Sequence, residues 1–78
     1  MKVKIRLAGP LRLPPTGREI LWEGRPGVAT GRILREALGY SRRELAFIQV
    51  ISGGRTRRLE EPIQADEELL VMLRLGGG

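Results

Sequence analysis

The sequence predicts an α+β fold in which a mixed sheet of four to five strands wraps around one main helix. Three observations predict it: a strictly alternating segment at the start, a helical stripe near the middle and an apolar segment close to the end. With 78 residues, the chain has room for one hydrophobic core and buries only about 60% of the surface that its unfolded form exposes. One domain over residues 1–75 and a short tail over residues 76–78 are therefore expected.

The first predicted strand is Lys2–Leu7. Its apolar residues alternate with Lys and Arg, a pattern typical of a strand with one face in the core and the other in solvent. Glycines and prolines in residues 9–17 predict a loop. A second strand over Arg18–Glu23, with Ile20 and Trp22 directed inward, then forms a hairpin with the first.

A helix is predicted from Thr30, as its N-cap, to about Leu38. Gly39 follows where a left-handed C-cap residue is expected. Gly31 weakens the helix by about 0.5–1 kcal/mol relative to alanine. The apolar residues of this segment fall on one helical stripe, at Ile33, Leu34, Ala37 and Leu38.

The second half of the chain predicts a helical turn and three strands. Ser41 and Glu44 have the spacing of a capping box. Pro62 interrupts the chain, and Ile63 is expected to fill the core beneath that loop. The strands are predicted at Ala46–Ile51, Thr56–Leu59 and Glu68–Leu75, with a turn over residues 52–55 between the first two.

This order of elements places two hairpin-like arms on either side of one crossover helix. The first and last strands are then expected to lie side by side at the centre of the sheet. The α+β arrangement called the β-grasp satisfies this order.

The composition argues against an enzyme. The chain contains no cysteine and no histidine. Disulfides, thiolate metal sites and cysteine nucleophiles are therefore excluded, and the usual general base is missing. Neither a signal peptide nor a transmembrane segment is visible, so we expect a cytoplasmic protein that binds no cofactor, metal or membrane.

The net charge of +5 suggests two kinds of partner, a nucleic acid or an acidic protein. The basic residues are scattered among acidic ones, and the chain has only one Phe, one Tyr and one Trp. Because stacking on nucleic-acid bases needs aromatic side chains, the sequence favours a solvated surface with a preference for acidic protein partners.

The C-terminal segment, residues 63–78, resembles the end of ubiquitin. It has the same Ile63-Gln64 start, spaced leucines, a Leu73-Arg74-Leu75 run and the final Gly77-Gly78. The rest of the chain is similar to the MoaD and ThiS sulfur-carrier proteins and their Urm-type relatives, in its opening strand, its Thr-started helix and its compact loop over residues 61–67. The chain thus resembles the ubiquitin-like β-grasp superfamily.

This resemblance implies that Gly78 carries a carboxylate that a partner enzyme adenylates with ATP, leading to two possible fates. In the first, the carboxyl group is transferred to an amine of another protein, with a conjugating enzyme, a deconjugating protease and protein targets as further partners. In the second, it becomes a thiocarboxylate that donates sulfur to an acceptor enzyme. A tail of Gly76, Gly77 and Gly78 suits either fate, because glycine has no side chain to clash in a narrow channel.

Further residues are expected to contact partners. Arg74 and Leu75 lie at the neck of the tail, where the matching arginine of ubiquitin helps the activating enzyme to choose its partner. Alternation in the last strand directs Leu69, Val71 and Leu73 to the core. An outward apolar patch, a typical partner surface, is then expected from Leu70, Met72, Phe47 and Ile51, with a rim of Arg55, Arg57 and Arg58.

Overall fold

The computed structural model describes residues 1–15 and 17–74. It contains a five-stranded sheet, a two-stranded sheet and two helices, with bounds β1 Lys2–Leu7, β2 Glu19–Glu23, β3 Val28–Ala29, α1 Thr30–Leu38, α2 Arg42–Leu45, β4 Ile48–Ser52, β5 Arg55–Arg57, β6 Pro62–Ile63 and β7 Glu67–Leu73. The main sheet is mixed, with the strand order β2-β1-β7-β4-β5. β1 and β7 are parallel neighbours at its centre, and the other pairs are antiparallel. The predicted fold class and central strand pair are confirmed.

The core lies between the inner face of this sheet and α1. Alternation in β1 directs Val3, Ile5 and Leu7 into the core, where each is at most 2% exposed. The apolar stripe of α1 packs against these three side chains. Ile63 is fully buried in the same cluster, as predicted for the residue beneath the loop. The apolar residues that recur with the period of a strand in β1 and those that recur with the period of a helix in α1 therefore pack into one core.

The start of α1 differs from the prediction. Thr30 is the first helical residue and not the N-cap; that position belongs to Ala29, whose side chain makes no capping hydrogen bond. The amide and the hydroxyl of Thr30 both donate to the carbonyl oxygen of Glu61, each at 2.8 Å. The amide of Gly31 donates to the carbonyl oxygen of Leu59 at 2.8 Å. Carbonyl groups of a distant loop thus satisfy the first helical amides, as a capping side chain otherwise does.

Gly31 has a packing role that explains a helix-weakening residue near the start of α1. A Cβ atom there would lie 3.2 Å from the Cβ atom of Leu59 and 3.3 Å from its carbonyl oxygen. The loop that caps the helix can therefore approach closely because residue 31 has no side chain.

Two other predicted ends are confirmed. Gly39 adopts the left-handed conformation, with φ of 73°, and its amide donates to the carbonyl oxygen of Arg35. The capping box of α2 is complete, since Ser41 and Glu44 each bond the backbone amide of the other.

Strand boundaries differ from the prediction in several places, and β2 and β7 each begin one residue away from the expected position. β4 begins at Ile48 and not at Ala46, because the amide of Phe47 closes the turn after α2 by donating to the carbonyl oxygen of Glu44. β5 is Arg55–Arg57, earlier than expected. The antiparallel pair of β3 and β6 was not predicted, since strands of two residues are too short to show periodicity.

Glu61 fixes the capping loop through its carboxylate. Arg55 donates to both carboxylate oxygens, at 3.3 and 2.9 Å, and the amide of Arg58 donates to Oε1 at 3.1 Å. These hydrogen bonds, with the side chain of Arg55 contributing most, lower the pKa of Glu61 from its ordinary value of 4.5 to about 2. The charged form of Glu61 therefore stabilises the folded state.

We expect a Glu61→Gln variant to be less stable than the parent chain near neutral pH and equally stable near pH 2. Because the folded pKa is depressed, the contribution of Glu61 is complete above about pH 4.5 and is lost as the pH falls toward about 2. Urea unfolding across this pH range measures the difference. The matched control is Glu60→Gln, since Glu60 is 69% exposed and pairs only with the exposed Arg58. Equal effects of the two substitutions, or a Glu61→Gln effect that persists at pH 2, would contradict the assignment.

Among the described residues, no helix is both long and apolar enough to cross a membrane.

Candidate functional site: the end of the last strand

The last strand delivers the chain to one end of the sheet. β7 lies between β1 and β4, and its final residue, Leu73, is half-buried. The next amide, that of Arg74, donates to the carbonyl oxygen of Phe47 at 2.9 Å. This bond continues the β4–β7 ladder by one residue, and the residue itself is exposed at the surface. The predicted neck residue Arg74 is thus held by the sheet at its backbone.

The remaining residues of the predicted tail are Leu75, Gly76, Gly77 and Gly78, and all four lie outside the described residues. Their roles stay predictions from the sequence.

An outer apolar patch, consisting of Leu70, Met72 and Ile51, lies on the face of the sheet away from α1. Leu70 stands opposite Ile51, and Met72 stands opposite Gln49. Directly opposed residues of antiparallel strands share a face, so the patch faces away from Leu69 and Val71, which are fully buried. All three patch residues are half-buried. The face predicted from alternation is the one observed, and the patch is flatter and less exposed than a row of protruding side chains.

Phe47 extends the patch toward the tail. The register that pairs Ile48 with Leu73 places Phe47 opposite Arg74, on the outer face. Phe47 is 63% exposed, the most exposed large apolar side chain among the described residues. The outer apolar patch thus leads along β7 to the point where the tail begins.

Charged and polar residues border the outer apolar patch on both sides. Arg6 lies beside Leu70 on β1 and pairs with Glu19 at 3.1 Å and with Glu68 at 3.7 Å. Thr56 lies beside Ile51 on β5. A partner that covers the patch therefore meets an apolar centre between polar borders.

The predicted arginine rim of the patch is wrong for two of its three residues. Arg57 stands opposite Val50 and Arg55 opposite Ser52, which places both on the inner face of β5. Arg57 is largely buried, at 17% side-chain exposure, and pairs with Glu67 at 2.8 Å. The face of each residue is set by its partner on β4, and no pattern within this three-residue strand reveals which partner that is. Arg58 is exposed but lies beyond the end of β5.

A tail-exit cleft, which the sequence did not indicate, lies beside the end of β7. Two adjoining hollows of about 270 Å³ each share Pro10 and Leu73 in their walls. Ala8 and Met72 line one hollow, and Phe47 lines the other. Because β1 ends at Leu7 while β7 continues to Leu73, the chain turns away at Gly9-Pro10 and leaves this space. The break at Gly9-Pro10 was the available signal.

Arg12 fixes the wall of the tail-exit cleft against the helical side of the molecule. Its guanidinium donates to both carboxylate oxygens of Glu44, at 2.7 and 2.9 Å, and to the carbonyl oxygen of Gly39 at 3.0 Å. It also lies 5.1 Å from the centre of the Tyr40 ring, whose hydroxyl donates to the carbonyl oxygen of Arg12. The hydrogen bonds from the Arg12 side chain and, secondly, from the Ser41 amide lower the pKa of Glu44 from 4.5 to about 2. The loop after β1 is therefore anchored by a bidentate, charge-assisted contact.

In residues 1–15 and 17–74, no three His, Cys, Asp or Glu side chains are grouped so that they could bind a metal ion. What the residues around the end of β7 offer is apolar contact area, an exposed arginine and a tail whose backbone begins at the surface.

No family model matches this sequence, and no curated protein matches it either. Among solved structures, the chain is similar to the crystal structure of SAMP1 from Haloferax volcanii, with a TM-score of 0.72 and 18% sequence identity over 100% of both chains. SAMP1 is a ubiquitin-like protein. At this identity the likeness establishes the fold, and it agrees with the mixed sheet and crossover helix described above. The chain is a protein of the ubiquitin-like β-grasp fold.

Proposed function

We propose that this chain is a ubiquitin-like protein modifier whose Gly78 carboxylate is adenylated by a partner enzyme and then transferred to an amine of a target protein. The observation that carries the proposal is the position of β7. The central strand of the sheet ends at half-buried Leu73, and the glycine-rich segment follows after only Arg74 and Leu75. A rigid scaffold thus holds the neck of a tether that has no side chains. The proposal concerns the Gly78 carboxylate, whether translation ends there or a protease exposes it.

The proposed reaction requires the folded domain to present the Gly78 carboxylate to the adenylating enzyme. A carboxylate is a poor acyl donor, so its oxygen first attacks the α-phosphorus of ATP, and pyrophosphate leaves. The amine of the target then attacks the carbonyl carbon of the adenylate, AMP leaves, and an isopeptide bond forms with loss of a proton. Ordering a tail in the channel of the enzyme costs about 1–2 kcal/mol per residue. The outer apolar patch and the tail-exit cleft are surfaces that can offset this cost, because they adjoin the neck.

A sulfur carrier is the second candidate function. The compact loop over residues 61–67, which includes the two-residue β6, favours this alternative because sulfur carriers resemble the chain there. In that case a sulfur nucleophile displaces AMP from the same adenylate, and a thiocarboxylate remains on Gly78. Both candidates use one activated carbonyl carbon and differ in the group that attacks it.

Mass spectrometry tests the proposal and separates the two candidates. The chain is incubated with ATP and the adenylating enzyme of its own organism, with and without a cell extract. Because Arg74 is the last basic residue, trypsin will leave Leu75-Gly76-Gly77-Gly78 on each modified lysine of a target. Such remnants support the modifier. A gain of about 16 Da on the intact chain in the presence of a sulfide source, as oxygen is replaced by sulfur, supports the sulfur carrier. If neither product is found, both candidate functions are excluded.

A Met72→Glu variant is expected to raise the KM of the adenylating enzyme for this chain by at least about tenfold, which corresponds to about 1.4 kcal/mol. A carboxylate on the outer apolar patch must lose its water when the enzyme covers the patch. Steady-state kinetics with the variant as substrate measures the change, and kcat is expected to vary little.

Leu21→Glu is the matched control for this variant. Leu21 is 55% exposed on the same face of the sheet, but it lies on the edge strand β2, two strands away from β7. If the two substitutions raised KM equally, the patch would not be the contact surface.

A further inference from the structure

A second surface lies on the helical side of the molecule, away from the outer apolar patch. There, α1, the start of α2 and Leu59 enclose an open groove of about 610 Å³, which we name the helical-side groove. Tyr40, Leu45 and Leu59 form its apolar walls, and Arg32, Arg35 and Arg42 line its rim. Tyr40 also lines one hollow of the tail-exit cleft, whereas the three arginines, Leu45 and Leu59 line neither of its hollows.

The rim of the helical-side groove carries unbalanced positive charge. Its single acidic residue, Glu36, accepts a hydrogen bond from Arg32 at 3.0 Å and another from the indole of Trp22 at 3.1 Å. Glu36 is therefore already engaged. Arg35 and Arg42 are exposed, and neither forms a salt bridge with any residue in the described ranges 1–15 and 17–74. The groove thus presents two cations whose guanidinium groups are available to an external carboxylate.

The floor of the groove suits an aliphatic side chain better than a nucleic-acid base. Tyr40 is the only aromatic residue among its walls, and it is 4% exposed. The guanidinium of Arg12 lies 5.1 Å from the centre of its ring, and its hydroxyl is bonded to the backbone of Arg12. Stacking of bases needs an open aromatic face. Leu59, by contrast, is half-buried and still offers apolar surface to a ligand.

We propose that the helical-side groove binds an acidic segment of a partner polypeptide, with an aliphatic side chain against Leu45 and Leu59 and carboxylates on Arg35 and Arg42. Charge complementarity identifies the occupant, because two arginines flank the apolar floor of the groove. That floor offers no open aromatic face on which nucleic-acid bases could stack. The groove and the outer apolar patch lie on opposite sides of the sheet. A bound acidic segment therefore leaves the patch and the end of β7 free for a different protein.

Fluorescence anisotropy with the full chain tests this binding directly. The probe is a labelled peptide in which a Leu-Leu pair is flanked on both sides by glutamates. Arg42→Glu and Arg35→Gln are each expected to weaken binding by at least about tenfold at low salt, because removing one partner of a charge-assisted pair leaves a carboxylate unpaired. Arg25→Glu is the control: Arg25 is exposed and lies outside the groove walls. It should weaken binding by less than about twofold, since it changes the net charge as Arg42→Glu does but removes no cation from the groove.

Two altered peptides and an oligonucleotide distinguish binding of an acidic segment in the groove from attraction by net charge and from nucleic-acid binding. A peptide with glutamine at each glutamate and a peptide with serine at each leucine should both bind at least about tenfold more weakly than the parent probe. The proposal is overturned if the parent peptide does not bind at low salt. It is also overturned if Arg25→Glu weakens binding as much as Arg42→Glu, which indicates attraction by net charge alone. A single-stranded oligonucleotide that binds more tightly than the peptide and is lost in Arg42→Glu would overturn it in favour of nucleic acid. Circular dichroism confirms that each variant is folded.

Discussion

A chain from which Gly77 and Gly78 have been deleted is expected to fold normally and to give neither conjugates nor a thiocarboxylate. The deletion starts three residues beyond the last residue of the described fold, Arg74, so no described core contact or hydrogen bond is lost. The shortened tether, however, ends in a carboxylate that no longer reaches the nucleotide. We expect product formation to fall below detection, while the midpoint of thermal unfolding stays unchanged.

Adding a single alanine after Gly78 provides a second test of the same point. This variant keeps every residue of the chain, but it moves the carboxylate and adds a side chain at the reacting end. Loss of product in both variants assigns the function to the position of the terminal carbonyl group rather than to tail length. With purified adenylating enzyme, where no protease can remove the added alanine, product formation by either variant at the rate of the parent chain would mean that the tail has no part in the reaction.

The largest loss of stability is expected from Leu69→Ala. Leu69 is fully buried on the central strand β7, in contact with the core cluster beneath α1. Truncating a buried leucine costs about 2–5 kcal/mol, because transfer free energy is lost and a cavity remains. Domains of this size have a free energy of unfolding of about 5–15 kcal/mol, so this loss is a large fraction of the total. Urea unfolding measures it.

The same substitution at Leu21 is the matched control for Leu69. Leu21 is 55% exposed on the edge strand β2, so Leu21→Ala should change the free energy of unfolding by less than about 0.5 kcal/mol. Comparable losses at the two positions would contradict the assignment of the inner and outer faces of the sheet.

Most of the fold could be predicted from the sequence where a pattern is long enough to show its period. The alternation in β1 runs over six residues and gave the correct core face. Alternation in β7 likewise separated buried Leu69 and Val71 from outward Leu70 and Met72. The turn residue Gly39 and the Ser41 capping box each mark a helix end through one local mechanism.

The errors come from contacts between residues that are far apart in the chain. The cap of α1 is supplied by the carbonyl oxygens of Leu59 and Glu61, so nothing next to Thr30 in the sequence reveals it. The faces of Arg55 and Arg57 depend on their pairing with Ser52 and Val50 of β4, which a three-residue strand does not reveal. The tail-exit cleft exists because β7 extends beyond the end of β1. This difference becomes apparent only once the two strands are paired. The role of the glycine tail is implied by the resemblance and stays a prediction.

Trapping the activated carboxyl group with hydroxylamine tests the central claim most directly. Hydroxylamine attacks an acyl adenylate, releases AMP and leaves a hydroxamate on the carbonyl carbon that was activated. The chain is incubated with ATP, the adenylating enzyme and hydroxylamine, and the product is mapped by tandem mass spectrometry. We predict one ATP-dependent hydroxamate, at Gly78. A hydroxamate on a side-chain carboxyl group such as Asp66, or conjugation that proceeds while Gly78 remains unlabelled, would contradict the account.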